Sequence, residues 1–427
     1  MSAPSVPRWR RLVVDTAPLR HPAYRRLWLS TVVTTVGAQL TAVAVPKQIF
    51  DDTGSSAWVG LSGLVALVPL AFFALWGGSI ADAVDRRKML LLTNAGIAAT
   101  SFALFAQSAL HNTQVWLVLV LLAVQQACFG LNSPARGAAI PRLVPAGELA
   151  AANALSATVF GLGAVLGPLL AGALIPVLGL SWLYLIDSVA LLAALYAVFR
   201  LPAMPPTPRE DGQRATTGLS SVIEGLRYIS LHAVLLVSFL VDIIAMVFGM
   251  PRALFPELAE RTFGDPPGGG IALGVLYAAI PAGAFAAGLF SGSFTRIRRH
   301  GQATAIAVMA WGAAIAAFGL SGNLWVAATF LALAGAADLV SMVFRGAILQ
   351  TAATDEMRGR MQGVFFLVVA GGPRLADLLH GTVGDLVGTA RTIVAGGLLV
   401  IVLTVLVVLR FPTFWRYRLG AEPPAVD

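Results

Sequence analysis

One cysteine in 427 residues, Cys128, leaves no intramolecular disulfide and no thiolate cage for a metal. Histidine is nearly as scarce, five in all, and none falls at the spacing of a metal-ligand cluster. No glycine-rich loop closes on a lysine to cradle a phosphate, and no nucleophile stands beside a base. These absences argue against a nucleotide-driven pump and against an enzyme; no cofactor and no metal are expected. Charge is the other shortage. Asp, Glu, Lys and Arg make up 12% of the chain against 57% apolar residues, too little polar surface to solvate a water-soluble globule of this size.

What the chain has instead is twelve apolar stretches of about 18 to 27 residues, with charges confined almost wholly to the gaps. A helix rises about 1.5 Å per residue, so about 20 residues cross the hydrocarbon layer of a bilayer. The first six stretches cover 27–50, 58–81, 89–109, 115–133, 152–178 and 182–199, and the second six cover 233–255, 272–294, 303–320, 324–344, 361–387 and 392–409. The fold class expected is an all-α membrane protein with twelve transmembrane helices.

The basic residues set the topology. Six arginines precede the first stretch, Arg86, Arg87 and Lys88 follow the second, and Arg296, Arg298 and Arg299 follow the eighth; in total 24 of the 29 basic residues fall on one side. The positive-inside rule then puts both termini and every even-numbered gap in the cytoplasm. The net charge of +8 records that topology and contact with anionic headgroups, so the bilayer is the expected partner and nucleic acid is not. The first 24 residues carry arginine and proline where a cleavable signal would have its apolar core. Trp9, Leu12 and Val13 among arginines suit either a short helix on the inner leaflet or a solvated tail.

Residues 202–212 carry four prolines and three charges, which reads as a flexible or extended connector. It divides the chain into an N-terminal bundle with its tail (1–200), a cytoplasmic linker (201–230) and a C-terminal bundle with its tail (231–427). The halves look like copies: Arg136-Gly137-Ala138-Ala139-Ile140 corresponds to Arg345-Gly346-Ala347-Ile348-Leu349, and Gly167-Pro168 to Gly372-Pro373. Duplicated six-helix halves suit alternating access, one rocking against the other about a midplane site.

Two motifs sharpen the picture. The gap after the second span reads Gly78-Ser79-Ile80-Ala81-Asp82-Ala83-Val84-Asp85-Arg86-Arg87-Lys88, in which Asp82 near a helix end can cap a neighbouring helix and pair with the arginines that follow. In the fifth span Gly161, Gly163, Gly167, Pro168 and Gly172 recur at helical spacing, which lets backbones approach and loosens the helix at Pro168. The first motif resembles the loop of the major facilitator superfamily that latches the halves together, although Ala83 and Asp85 replace a base and a glycine. The second resembles its antiporter motif. The superfamily's arginine in the middle of the fourth span is missing; Gln125 and Gln126 lie there, and Arg136 sits at the cytoplasmic end.

A narrower resemblance, to the enterobactin exporter branch, rests on Met250-Pro251-Arg252-Ala253-Leu254-Phe255-Pro256, on Asn132-Ser133-Pro134-Ala135-Arg136, and on Asp338 running to Arg345. It implies two pseudo-symmetric six-helix bundles in the plasma (bacterial inner) membrane. It also implies a monomer that exports a catecholate siderophore on the proton gradient. A multidrug/proton antiporter and a non-transporting membrane sensor or scaffold are the alternatives.

Charges inside the spans mark the candidate site, since an aspartate at a helix centre costs roughly 2.5–3.5 kcal/mol on insertion scales. Asp242 is nearly central in the seventh span, Asp338 lies two turns from Arg345 on the same face, and Arg374 and Asp377 are three apart, close enough to pair. Asp187 is nearer the outer end of the sixth. Asp242 is the leading proton carrier, with Asp338 and Asp377 behind it, because a carboxylate held away from water can cycle between charged and protonated forms. The competing reading is that these acids pair with bases and fix packing. Arg252, Arg374, Tyr277, Gln125, Gln126 and Trp311 are the candidate substrate contacts, through charge-assisted hydrogen bonds and ring stacking. Gly78, Asp82, Arg86, Arg87, Gly163, Gly167, Pro168, Arg136 and Arg345 are the candidate conformational residues.

Overall fold

The computed structural model describes residues 15–205, 219–352 and 354–418, without the side chains at 78, 79, 81–83, 219–222, 293, 295, 296, 355, 356, 358–360, 362, 363, 366 and 367. The N-terminal half is α1 (Pro22–Thr53), α2 (Ser56–Ala83), α3 (Arg86–Ala109), α4 (Val115–Ala139), α5 (Leu149–Leu178) and α6 (Leu180–Phe199). A connecting helix α7 (Leu219–Leu231) leads into α8 (Ala233–Gly249), α9 (Phe255–Arg261), α10 (Ile271–Leu289), α11 (His300–Gly319), α12 (Leu324–Ala352), α13 (Asp355–Val387), α14 (Thr389–Arg410) and α15 (Pro412–Arg416).

The two halves repeat one packing scheme. In the first, α2 lies on α4, α3 on α4 and α6, and α1 on α5 and α6. In the second, α10 lies on α12, α11 on α12 and α14, and α8 on α13 and α14. The halves meet along two equivalent seams, α2 against α13 and α5 against α10. Among the described residues eleven segments are long and apolar enough to cross a membrane; the eleventh expected span, inside the 33-residue α13, is not one of them, and it carries Arg374 and Asp377 in its middle. Large apolar side chains such as Leu92, Trp116 and Leu386 stand exposed on the perimeter, where lipid takes the place of a protein neighbour.

Two details of the chain's path go beyond the sequence pattern. The stretch 233–255 lies within one candidate membrane span, Ala233–Arg261, but its helix is interrupted: Met250 takes φ −119° and ψ 85°, since Pro251 disfavours the helical region for the residue before it, and a 3-10 turn at Arg252–Leu254 leads into α9. Phe248, whose carbonyl the break leaves without a helical donor, lies 3.1 Å from His380 Nε2. The linker ends in a helix. Residues 206–218 lie outside the described residues, but α7 follows and packs on α13, with Ile229 buried in the core and Tyr228 stacked on His232 at 4.1 Å. Apolar residues of 219–231 at helical spacing outweigh the polarity of the preceding connector. The tail with Trp9, Leu12 and Val13 lies outside the described residues.

Candidate transport site

A cavity of about 320 Å³ lies between the halves, at the lower end of the range that takes a small organic molecule. Its N-terminal wall offers Gln39 and Thr41 from α1, Ser62 from α2, Gln125 and Gln126 from α4, and Asp187 from α6. Its C-terminal wall offers Arg252 from the turn after α8, Tyr277 from α10, and Arg374 and Asp377 from α13. Small and apolar residues such as Ala38, Ala42 and Phe129 fill the space between. The helix break explains how Arg252 reaches this wall: freed from a continuous helix, the turn lays its guanidinium 5.6 Å over the Tyr277 ring. Phe255 abuts the same ring edge-on at 5.2 Å.

Five of the six expected substrate contacts therefore share one cavity. Trp311 is the exception and is reassigned to packing: it is 1% exposed, close against Gly249 and Val400 inside the C-terminal half. The direct ion pair of Arg374 with Asp377 that the spacing permits is not formed; both open onto the cavity, and Asp377 Oδ1 is buried with no hydrogen-bond partner. An i,i+3 spacing permits contact but does not impose it, and here α2 presses on Asp377 from the other side, Gly60 and Gly63 giving it room.

Asp242 and Asp338 lie elsewhere. Arg345 of α12 forms an ion pair with Asp242 of α8 and stands 3.7 Å from Asp338 Oδ1, so one guanidinium is shared between two carboxylates. Asp242 is 2% exposed and Arg345 5%, which places that pair inside the bundle and away from lipid. The duplicated Arg136 of α4 makes the matching reach to the first helix of its own half, donating to Thr31 Oγ1 at 2.5 Å and to Asn132 at 3.3 Å. The repeat thus holds in three dimensions, with a hydroxyl where the second half has a carboxylate.

At the face opposite the termini the halves are fastened. Lys47, 0% exposed on α1, donates to Asp51 Oδ1 and to Glu260 Oε2 of α9, both at 2.5 Å. Asp385 of α13 accepts from Ser55 Oγ and from the Ser56 and Ala57 amides at 2.9 and 3.1 Å, capping the start of α2 from across the seam. Ser56 Oγ donates to Glu257 at 2.7 Å. Near the termini face, the side chains of Gly78 and Asp82 lie outside the described residues. Arg87 donates to the Phe199 carbonyl at 2.5 Å and Arg86 is buried. Asp85, unremarkable in the sequence except as a departure from the motif, caps α3 through the Arg87 amide at 2.9 Å and holds the Met204 amide at 3.2 Å.

The glycines of the fifth span are contact points. A Cβ on Gly163 would sit 2.5 Å from Thr35 and one on Gly167 2.3 Å from Gln39, both on α1. Gly172 crosses the seam: its Cβ would meet Gly270 O and the Gly274 backbone at 2.8 Å, where the neighbour is main chain and cannot turn aside. Gly172→Val should force α5 and α10 apart and destabilise this closed seam by about 1–3 kcal/mol. Faster cross-linking of cysteines across the opposite face would report it; an unchanged distribution would show that the seam tolerates the change.

The comparisons with known proteins agree with this geometry. The transmembrane secretion effector family matches residues 14–418. The chain belongs to the major facilitator superfamily. It is 31% identical over 415 residues to the enterobactin exporter EntS of Shigella boydii, covering 95% of each chain, and 31% identical to EntS of Escherichia fergusonii with the same coverage. Among solved structures, the nucleoside transporter NupG superposes with a TM-score of 0.73 at 12% identity, covering 92% of this chain and 99% of that one. A bacterial homologue of the lysosomal transporter Spinster, solved inward-facing and unoccupied, gives 0.72 at 16%, covering 96% and 100%. The chain is a multi-pass membrane transporter and not an enzyme.

Two residues of the site have a place that the sequence did not give them. Lys47 lay within an apolar stretch and was not singled out, although a lone base inside a span followed by Asp51 and Asp52 is itself a signal. Asp187 was placed near the outer end of its helix; the fold turns it into the cavity wall.

Proposed function

We propose that this transporter exports a small amphiphilic molecule bearing catechol rings, of the siderophore type, from the bacterial cytoplasm in exchange for protons. The observation that carries the proposal is the asymmetric cavity. Two guanidiniums and a phenol on one wall suit the oxygen atoms and ring faces of catechols, and neutral amides and hydroxyls on the other suit their hydroxyl groups. The similarity to the enterobactin exporter EntS supports the same cargo and direction. With the termini cytoplasmic, the fastened face is the external one, and the cavity belongs to a state awaiting cargo from inside. The energy source is the proton gradient, with no bound cofactor. Asp377 is the cavity-facing acid among those expected to couple protons, while Asp242 and Asp338 share Arg345 behind the cavity wall.

A multidrug antiporter is the second reading, favoured by the apolar strip of Ala38, Ala42, Val45, Val59 and Phe129 between the polar walls. Proteoliposomes loaded with acidic buffer separate the two. Catecholates should accumulate and unrelated drugs should not; uptake of drugs alone would overturn the siderophore reading, and uptake of neither would leave the sensor or scaffold. Arg374→Gln should weaken catecholate binding by about ten- to a hundredfold, the equivalent of one charge-assisted hydrogen bond of about 1.5–3 kcal/mol. Titration calorimetry on purified protein measures it.

A further inference from the structure

Asp187 is the acid whose surroundings suit a reversible proton. Its Oδ2 accepts from Thr41 Oγ1 at 2.8 Å and from Ser101 Oγ at 2.7 Å, and Ser101 in turn accepts from Gln125 Nε2 at 2.9 Å. The residue is 1% exposed and belongs to the cavity wall. Gly37 lets α1 close over it, since a Cβ there would lie 2.3 Å from Asp187 Oδ1. Among the described residues no base stands within ion-pair distance. The helices packed on α6 bring only neutral groups alongside: Gly37 and Thr41 from α1, Ser101 from α3, and no charge from the membrane part of α5. Tyr184, on α6 itself, is turned to Gln48. Lys47, Asp51 and Asp52 are farther along α1, and Arg86, Arg87 and Lys88 begin α3 at the opposite end. Across the cavity are Arg252, Arg374, Asp377 and Tyr277.

We infer that Asp187 is the proton-exchanging carboxylate, and that catechol hydroxyls compete with the proton for it. This rests on the catechol-exporter reading and adds to it the residue and the coupling chemistry. A hydroxyl can donate or accept. With Asp187 charged, Thr41 and Ser101 donate to it; with Asp187 protonated, its O–H donates to one of them and Thr41 turns its hydroxyl to the carbonyl one helical turn back. Neither state leaves a cation stranded. Removing the charge of Asp242 would strand Arg345, and removing that of Asp377 would leave Arg252 and Arg374 with no acid on their own wall of the cavity. A catechol in the cavity offers O–H donors that bind the charged carboxylate better than the neutral one. Cargo therefore expels the proton to the water of the open face, and a proton taken up on the other side expels cargo. That mutual exclusion is antiport.

Ortho-dihydroxybenzamide, a neutral catechol amide, and its dimethoxy ether, which lacks the donors, provide the test. In weakly buffered detergent solution the catechol should release protons from the wild-type protein and the ether should not. Asp187→Asn should abolish that release. In proteoliposomes a pH difference of one unit supports about tenfold accumulation per proton exchanged, and Asp187→Asn should bring the ratio down to about one while catechol counterflow persists. Thr41→Val, which keeps the carboxylate, should shift the pH at which release is half complete; it stands in if the asparagine variant fails to fold. Full proton release and accumulation by Asp187→Asn, or an unshifted midpoint in Thr41→Val, overturns the inference while the exporter reading survives. A wild-type protein that neither releases protons nor accumulates catechol overturns both. Accumulation that follows a sodium gradient and vanishes in Asp187→Asn overturns the proton as the coupled ion.

Discussion

Asp242→Asn is expected to destabilise the protein by about 3–5 kcal/mol, because it strands a buried guanidinium that then has only Asp338, at 3.7 Å, as an anionic partner. The effect should exceed that of any other single change inside the C-terminal half, since Arg345 is 5% exposed and cannot turn to water. The thermal-denaturation midpoint in detergent measures it. The decisive comparison is the double variant Asp242→Asn with Arg345→Met. With the cation gone as well, no buried charge is left alone on the Asp242 side, and most of the lost stability should return. A double variant no better than the sum of the single ones would mean that the pair contributes nothing as a pair. Transport separates a packing role from a carrier role: a double variant that is stable and still concentrates cargo removes Asp242 from proton coupling.

Lys47→Met should open the far face. It leaves Asp51 and Glu260 facing each other with no cation between them, in a contact that joins the first helix of one half to the second half. Losing one partner of a buried hydrogen-bonded charge pair costs about 2 kcal/mol or more, which moves a two-state equilibrium by about thirtyfold. Asp385→Asn should act in the same direction by about 1 kcal/mol through the lost cap on α2. The sole cysteine makes the measurement clean. In a Cys128→Ser background, Ser62→Cys places a thiol on the cavity wall, and an impermeant maleimide added from the far side reaches it only when the fastening opens. Labelling should rise in both variants, more in Lys47→Met. Equal labelling in all three proteins would show that the seam is held by packing alone, with Gly172 and Gly274 as its next suspects.

How the site was read bears on both results. Gln125, Gln126, Arg252, Tyr277, Arg374 and Asp377 were recognisable because polar groups in apolar spans are expensive and tend to face a cavity. Trp311 misled, since a ring buried in protein and a ring lining a cavity look alike in sequence. Asp242 was recognised as exceptional but its partner was hidden: Arg345 lies on a helix four elements later, and nothing local joins them.

The sequence by itself determined that the chain spans a membrane many times as paired helical halves, and on which side its bases gather. Those properties are set segment by segment: each stretch must satisfy its own backbone in hydrocarbon, and each flank carries its own charge. Only the tertiary structure decided which ionisable groups meet. Lys47 with Glu260, Asp385 with the head of α2, Arg345 with Asp242, and Asp187 with two hydroxyls are contacts between helices far apart in the chain, made by the way the bundles pack. Pro251 interrupts the helix of the seventh span locally, but it is the packing of the halves that places the freed Arg252 on the cavity wall.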